Sequence, residues 1–304
     1  TLANGLAYVD ELIRRGGDAA KFARRLSFFF YVHKDLFEEA CKFRAGRRLW
    51  AKLLRERYGV SDEKALHFRF GVVCGGSSLV AAQPYNNIVR VAIENLAAVL
   101  GGAQSIFTCA YDEAFQIPTE FSAELALRTQ QIVQYESGIA ATVDPLGGSY
   151  YVEWLTERMQ SGMIEVMREI DAYGGVVKAI EEGWLQRRIA VRAKEKKDAT
   201  DRGERVVVGQ NRFRREAQAD SYGEVFRLDP QAASRVLAKH AEIKRSRDAA
   251  RVARSLDALE AAASSDAENL MPLLVECCHA YATVGEMVDR LKRCWGEFQE
   301  PVRL

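Results

Sequence analysis

The sequence has little of what marks a metal site, a disulfide framework or a membrane span. Its 304 residues include six cysteines and four histidines, and these form neither a CxxC pair nor a zinc-ligand spacing. We therefore expect reduced, mostly buried thiols rather than disulfides. No apolar run approaches the length needed to cross a membrane. These absences predict a cytoplasmic protein without a membrane partner.

An excess of charge of either sign is also missing. The 43 basic and 42 acidic residues leave a net charge of +1, which indicates neither nucleic acid nor an anionic membrane as a partner. Acidic residues are interspersed in the most basic stretch, residues 186–215, which favours a solvated helix face and linker over RNA binding. The Gly75-Gly76-Ser77-Ser78 string lacks the lysine and the spacing of a phosphate-binding loop.

Short apolar segments alternate with longer amphipathic ones over the first half of the chain. Four short segments predict strands, at residues 25–30, 66–73, 104–110 and 139–143. The amphipathic segments between them predict single helices, of which the longest cover residues 35–58 and 85–100. Strands that alternate with single helices indicate βα units and a parallel sheet.

After Tyr150 the pattern changes and helices dominate. We expect them over residues 152–172, 176–197, 230–263, 268–281 and 284–298, with one short strand at 206–208. The change of pattern places the predicted domain boundary near residue 150. The sequence therefore predicts an α/β domain over residues 1–150 and a mainly helical extension over residues 151–304.

Several short sequence strings indicate more than the fold class. They read RLSFF at 25–29, RAGRRLWA at 44–51, PYNNIVR at 84–90, LGGAQS at 100–105, DEA at 112–114, RTQQI at 128–132, DPLGGSY at 144–150, VGQN at 208–211 and ATVGE at 282–286. In order and spacing they resemble the large, substrate-binding subunit of the methylmalonyl-CoA mutase family, which includes isobutyryl-CoA and 2-hydroxyisobutyryl-CoA mutase-like enzymes. The resemblance covers essentially the whole chain.

The family's substrate subunit is a (β/α)8 barrel followed by a helical linker. The resemblance therefore implies that residues 1–150 are the last βα units of an acyl-CoA-binding TIM barrel and residues 151–304 the linker region. Ligands of such barrels meet the C-terminal ends of the strands, so we look for the site there. The chain begins with Thr1, and the family's tyrosine- and histidine-bearing strand lies just upstream of this position. We expect a processed or longer protein with its catalytic residues upstream of Thr1.

The resemblance assigns five residues to the acyl-CoA ester. Arg25 and Ser27 match a family Arg-x-Ser pair that contacts the CoA chain, and Arg69 matches another CoA-contacting arginine. Gln104 and Ser105 match a pair that touches the acyl-CoA. Arginine suits phosphates and carbonyls, whereas uncharged donors and acceptors suit the amides of pantetheine. The alternative is that these side chains have no ligand and only form ion pairs or hydrogen bonds within the protein beside the strands. This alternative stays open.

Three residues match family positions near adenosylcobalamin. Glu113 matches an acidic residue that binds the ribose, Ala114 a small residue beside the corrin, and Gly76 a glycine that lets the corrin approach the backbone. The family's cobalt-ligating Asp-x-His-x-x-Gly motif does not occur in the sequence, so we expect another domain or subunit to supply the cobalt ligand. The implied partners are an acyl-CoA substrate, a cobalamin-binding small subunit, the N-terminal barrel half or a paralogous subunit, and a G-protein chaperone.

The segment 71–77 departs from the family's His-x-Gln-Thr-Ser-Gly-Trp string. Gly71 and Val73 stand where the family has hydrogen-bonding histidine and glutamine, Ser77 replaces the tryptophan, and Phe107 replaces the histidine of a later His-Thr-Asn. These replacements predict a more apolar pocket. We expect a radical rearrangement of an acyl-CoA ester, which the sequence does not identify. Two alternatives are a non-catalytic paralogous barrel subunit that stabilises an active partner and an acyl-CoA-binding module without cobalamin.

Overall fold

The computed structural model describes residues 1–215 and 226–301. The chain forms two compact units, one built from residues before Arg227 together with Pro301, and one from Arg227–Glu300. The expected boundary near residue 150 stays a prediction. None of the described helices combines the length and the apolarity that a membrane crossing requires.

A small parallel sheet lies at the centre of the first unit. Its strands are β1 (Phe28–Val32), β2 (Phe70–Cys74) and β3 (Ser105–Phe107), in the order β1-β2-β3. In the register, Gly71 of β2 is paired with Phe29 of β1 and with Ser105 of β3. Two residues further along, Val73 is paired with Tyr31 and with Phe107. The chain is thus a helix-rich α/β protein, and the first three predicted strands are confirmed.

The fourth predicted strand, residues 139–143, is wrong. Ile139–Ala141 forms a single 3₁₀ turn between Gly138, with φ of 71°, and Asp144, with φ of 47°. The side chain of Val143 is 93% exposed. A short apolar run reads locally like a buried strand, but a strand needs a neighbour whose backbone groups complete its hydrogen bonds.

Thirteen helices occupy the described residues. They are α1 (Leu2–Arg14), α2 (Ala19–Ala23), α3 (Leu36–Tyr58), α4 (Glu63–Leu66), α5 (Asn86–Leu100), α6 (Glu120–Tyr135), α7 (Tyr150–Tyr173), α8 (Val176–Glu181), α9 (Trp184–Asp201), α10 (Ala232–Ser246), α11 (Ala249–Ala263), α12 (Met271–His279) and α13 (Val284–Trp295). The predicted helix at 176–197 is interrupted at Gly183, with φ of 70°, and the one at 230–263 is interrupted before Asp248, which caps α11. The predicted strand at 206–208 is only an isolated bridge between Val208 and Arg212.

One face of the sheet packs against helices and forms the core of the first unit. The Phe43 ring of α3 stacks on Phe70 of β2, with centroids 4.9 Å apart. Trp50, also on α3, meets the Phe28 ring edge to face at 4.9 Å. Because side chains alternate along a strand, Phe29 and its neighbours in the intervening positions project from the opposite face. We call this second face, which carries exposed aromatic side chains, the open face.

The second unit is a small helical assembly. Leu259 of α11 and Cys277 of α12 are fully buried in its core, which Met287 of α13 completes. Arg247 donates two hydrogen bonds to Glu286, at 2.6 and 2.8 Å, and one to the carbonyl oxygen of Tyr281 at 2.8 Å. These contacts join the start of α11 to the start of α13.

Candidate functional site

The five residues assigned to the acyl-CoA ester lie together at the amino-terminal edge of the sheet. Arg25 and Ser27 precede β1, Arg69 precedes β2, and Gln104 and Ser105 lie at the start of β3. Because the strands are parallel, their starts meet at one edge. This placement differs from the expectation that site residues would follow the strands, and it brings all five residues to the same side of the unit.

The side chains at the amino edge are not equally available to a ligand. Gln104 accepts a hydrogen bond from the backbone N–H of Phe70 at 2.7 Å and donates one to the carbonyl oxygen of Gly102 at 2.8 Å. Its amide therefore stabilises the start of the sheet. Arg69 donates to the carbonyl oxygen of Leu26 at 3.2 Å and is otherwise exposed, as Arg25, Ser27 and Ser105 are.

At the carboxyl edge, the ends of all three strands converge on two consecutive glycines. A Cβ atom on Gly75 would collide with the imidazole of His33, which follows β1, and would lie 3.1 Å from the carbonyl oxygen of Val32. A Cβ atom on Gly76 would collide with the carboxylate of Glu113, which follows β3. The missing side chains thus leave room for one polar group from each flanking strand.

A pocket of about 430 Å³ opens at this edge. Its lining residues are Tyr31, His33, Val73, Gly76, Ser77 and Glu113. The structure therefore brings together Gly76 and Glu113, two of the three residues assigned to the cofactor, whereas the exposed Ala114 is adjacent to Glu113 in sequence but does not line the pocket.

Tyr31 and His33 are site residues that the sequence analysis missed. They alternate along β1 and its continuation, so both lie on the open face, and their rings are nearly parallel, at 7°, with centroids 6.2 Å apart. His33 Nδ1 lies 3.1 Å from the hydroxyl oxygen of Ser78. Burial lowers the pKa of His33, and although Glu39 opposes this effect, the imidazole is neutral at physiological pH. The available signal was the two-residue spacing of aromatic rings at a strand end.

A second cleft, of about 570 Å³, lies on the same edge and shares His33 and Ser77 with the pocket. Its far wall is α9 and the loop that follows it, including Arg205. Asn211 holds this loop by donating to the carbonyl oxygens of Thr200 and Arg205, both at 2.7 Å. Arg90 of α5 donates to the carbonyl oxygen of Val208 at 2.7 Å and so attaches the loop to the carboxyl edge.

Comparison with known proteins assigns the chain to a family. The methylmalonyl-CoA mutase family model matches residues 1–297. The chain belongs to the methylmalonyl-CoA mutase family.

Curated relatives agree with this assignment. The 2-hydroxyisobutanoyl-CoA mutase large subunit of Aquincola tertiaricarbonis is 43% identical over 300 residues, which cover 99% of this chain and 53% of that protein. Methylmalonyl-CoA mutase of Rhizobium meliloti is 40% identical, with coverage of 98% and 42%. Human mitochondrial methylmalonyl-CoA mutase is 41% identical, with coverage of 100% and 40%. The chain thus spans about half the length of the first relative and two fifths of the others.

Three of the positions at which this mutase-family chain departs from the resemblance, Gly71, Val73 and Phe107, lie on the open face, whereas Ser77 follows β2. Gly71 lies between Phe29 and Ser105, and a Cβ atom there would be 2.5 Å from the Ser105 hydroxyl oxygen and 2.9 Å from the Phe29 ring. Val73 lies between Tyr31 and the exposed Phe107 in the register. The open face is therefore apolar along its length and polar at its two ends.

A buried acid lies behind the carboxyl edge of this family member. Glu94 of α5 is 0% exposed, and within the described residues neither of its carboxyl oxygens has a hydrogen-bond partner. Burial raises the pKa of Glu94 to about 7, although the nearby Ser78 hydroxyl and the Lys34 ammonium group lower it in part. The carboxyl group therefore carries a proton over much of the range below neutral pH.

We expect Glu94→Gln to change the pH dependence of stability. The carboxyl titrates near 4.5 when unfolded and near 7 when folded, so between these values the folded state binds more protons than the unfolded state. The free energy of unfolding of the wild type therefore falls as the pH rises through this window. Glutamine cannot ionise, so the variant should lose less stability, by up to about 3 kcal/mol.

Denaturant unfolding at about pH 5 and about pH 8 measures this difference. Glu165→Gln, which changes an exposed glutamate in α7, is the matched control and should have the pH dependence of the wild type. Equal pH dependence in the Glu94→Gln variant and the wild type would contradict the proposed protonation of Glu94.

Proposed function

We propose that this chain provides the acyl-CoA-binding part of an adenosylcobalamin-dependent acyl-CoA mutase. The observation that supports this most directly is the division of the assigned residues between the two edges of one sheet. A strand of five residues is about 16 Å long, so an extended ligand lying along the open face would reach both edges. A CoA ester is long enough to place its nucleotide end at one edge and its acyl group near the other.

At the amino edge, the exposed Arg25 and Arg69 would bind phosphate or carbonyl oxygens of the CoA chain. The hydroxyls of Ser27 and Ser105 would bind pantetheine amides. The apolar open face would then surround the acyl end and exclude water from it. Gln104 would act mainly through the backbone groups that it holds.

The carboxyl edge fits the nucleoside part of the cofactor. Gly76 leaves a space that a Cβ atom would fill, and the exposed carboxylate of Glu113 borders that space. A carboxylate in this position can accept hydrogen bonds from two ribose hydroxyls. When bound, adenosylcobalamin supplies the homolytic chemistry of the carbon-skeleton rearrangement. The residues of this chain would orient the ester and the nucleoside and exclude water from the space between them.

The same proposal includes the architecture and the partners. Three consecutive parallel strands joined through helices follow the progression of a (β/α)8 barrel, so we propose that residues 1–150 are part of such a barrel and residues 151–304 a helical linker. A further barrel part or paralogous subunit would pair with the edge strands β1 and β3. A cobalamin-binding subunit would supply the cobalt ligand, and a G-protein chaperone would load the cofactor.

A second candidate is a non-catalytic barrel subunit that stabilises an active mutase. Gly71, Val73 and Phe107 favour it, because they place no hydrogen-bonding side chain in the middle of the open face. The polar groups of His33 and Glu113 at the carboxyl edge oppose it, because a purely structural subunit has no need to keep a polar pocket there.

The deciding experiment uses the assembled protein with its cobalamin-binding partner and adenosylcobalamin, without oxygen. Absorbance would follow cob(II)alamin formation after addition of each ester from a panel of acyl-CoA compounds. We expect a signal with one class of branched acyl-CoA and none with free CoA, which serves as the control. A verified complex that gives no signal with any ester would replace this proposal by the non-catalytic subunit.

A further inference from the structure

A row of three polar side chains leads from the interior of the first unit to the carboxyl edge of the sheet. Glu94 of α5 is fully buried, Ser78 ends the 3₁₀ turn that follows β2, and His33 lines the pocket at that edge. We propose that Glu94 sets the tautomer of His33 through the Ser78 hydroxyl, so that Nε2 carries a proton when Glu94 is protonated and a lone pair when Glu94 is ionised. We call these three residues the relay. The relay needs no ligand in the pocket and is independent of the proposed mutase function.

The Ser78 hydroxyl can form hydrogen bonds on both sides. Its oxygen lies 3.1 Å from His33 Nδ1, and either atom can be the donor at this distance. Burial raises the pKa of Glu94, and among the groups that oppose this rise the Ser78 hydroxyl has the largest effect. Neither carboxyl oxygen of Glu94 has a hydrogen-bond partner within the described residues, so the carboxyl group is free to pair with this hydroxyl. Lys34 donates to the backbone carbonyl oxygen of Ser78 at 3.3 Å and holds the turn in place.

The two ends of the relay are coupled because a hydroxyl can donate only one hydrogen bond. When Glu94 is protonated, its carboxyl group donates to the Ser78 oxygen, the hydroxyl donates to Nδ1, and the ring proton is on Nε2. When Glu94 is ionised, the hydroxyl donates to the carboxylate and its oxygen accepts from the Nδ1–H, which leaves Nε2 with a lone pair. Since Nδ1 is engaged in both states, the pocket meets a donor in the first state and an acceptor in the second.

The passage from the first state to the second releases one proton. Glu94 gives its proton to the Ser78 oxygen, the hydroxyl gives its own proton to Nδ1, and Nε2 releases one to water in the pocket. The three bonds that break are replaced by a new O–H bond on Ser78, the Nδ1–H bond and an O–H bond on water. The ring and the hydroxyl are neutral before and after, whereas Glu94 becomes a carboxylate.

The groups around Glu94 make both states accessible near neutral pH. The charged and titratable groups that face it are Lys34, Glu39, Cys74, Arg90 and Cys109. Burial raises the pKa of Glu94 to about 7, while the Ser78 hydroxyl and the Lys34 ammonium group oppose this rise in part. Burial also raises the pKa of both thiols, so neither thiol adds a charge. Glu94 therefore titrates near neutrality while the thiols stay protonated.

His33 stays neutral over the range in which Glu94 titrates. Burial lowers the pKa of His33 below its usual 6.5, Glu39 opposes this effect, and three cations add to it. These cations are Lys42, Lys196 and Arg205. Lys42 is ion-paired with Glu39, so the effects of these two residues on the ring oppose each other. A change at Glu94 therefore moves the ring proton from one nitrogen to the other and adds no charge to the ring.

Nitrogen NMR of the assembled protein, with isotope-labelled histidine only in this chain, measures the tautomer directly. The chain has four histidines, and the signal that His33→Gln removes belongs to His33. We expect the main site of the ring proton to change from Nε2 to Nδ1 between about pH 6 and about pH 8. The midpoint should follow the pKa of Glu94, which is about 7. A tautomer ratio of the wild type that stays constant over this range would overturn the proposal without the use of any variant.

Two substitutions interrupt the relay at different points. Glu94→Gln cannot ionise and Ser78→Ala has no hydroxyl, so in each variant the tautomer ratio of His33 should be the same at both pH values. Glu165→Gln changes an exposed glutamate and should retain the change of the wild type. Near-ultraviolet circular dichroism verifies that each variant keeps its fold. A purely structural role of Glu94 would alter stability without fixing the tautomer of one histidine, so a pH-dependent ratio that persists in either relay variant would also overturn the proposal.

Discussion

Replacing Gly76 with alanine should reduce the ester-dependent cob(II)alamin signal of the assembled protein by one to two powers of ten while leaving its fold intact. The new Cβ atom would collide with a carboxylate oxygen of Glu113. Glu113 is exposed, so its side chain could turn to another rotamer at little cost to folding. Displacing a charged hydrogen-bond acceptor from its ligand costs about 1.5–3 kcal/mol. The backbone of Gly76 does not have a positive φ, so alanine itself adds no strain.

A double-mutant cycle separates this mechanism from general damage. If Gly76→Ala acts by displacing Glu113, then combining it with Glu113→Gln should cost hardly more than Glu113→Gln alone. Gly162→Ala is the control, because this glycine lies in α7 with no atom near its Cβ position, and alanine there favours the helix. Additive losses in the double variant would refute the displacement of Glu113.

Trp50→Ala should cost the first unit about 3–5 kcal/mol of unfolding free energy. The Trp50 side chain is 0% exposed, and its ring packs against those of Phe28 and Phe68. It also lies 3.2 Å from the Cβ position of Gly5 in α1. Truncation would therefore leave a cavity where α1, α3 and β1 meet, and the surrounding rings cannot fully close it.

Denaturant unfolding followed by far-ultraviolet circular dichroism measures this loss in the intact protein. The matched control is Trp154→Ala, since Trp154 is 56% exposed on α7, and it should change the unfolding free energy by less than about 1 kcal/mol. Similar losses in the two variants would show that Trp50 is not the centre of this core.

Local patterns predicted the strands β1, β2 and β3 because each combines an apolar run with turn residues. Each of these segments also pairs with a neighbouring strand in the structure. The pattern at 139–143 looked the same, yet that segment is a single turn, since pairing depends on neighbours that a local pattern does not contain. The break at residues 247–248 was missed for a related reason. The amphipathic spacing continues across it, and only the Asp248 cap, which accepts from the N–H of Arg251 at 3.0 Å, marks the new start.

The candidate site was predictable only in part. The resemblance assigned Gly76 and Glu113 one at a time, whereas their contact joins residues that are far apart in sequence. His33 was missed because the two-residue spacing from Tyr31 shows only that both rings lie on one face of the strand, not that a pocket lies beside them. The imidazole fits there because Gly75, which directly follows β2, has no side chain to exclude it. The protonated Glu94 was equally hidden, since its pKa is set by burial and not by its sequence neighbours.

The two glycines at the end of β2 also constrain how this edge can diverge. Each makes room for one side chain from a different strand, so positions 33 and 75 form one steric pair, and positions 76 and 113 another. An imidazole at 33 is compatible with glycine at 75 but not with a larger residue. A long acidic side chain at 113, in its present position, likewise requires glycine at 76. Substitutions at this edge are therefore tolerated when both positions of a pair change together. A single change at Gly75 would displace the imidazole of His33, and one at Gly76 would displace the carboxylate of Glu113.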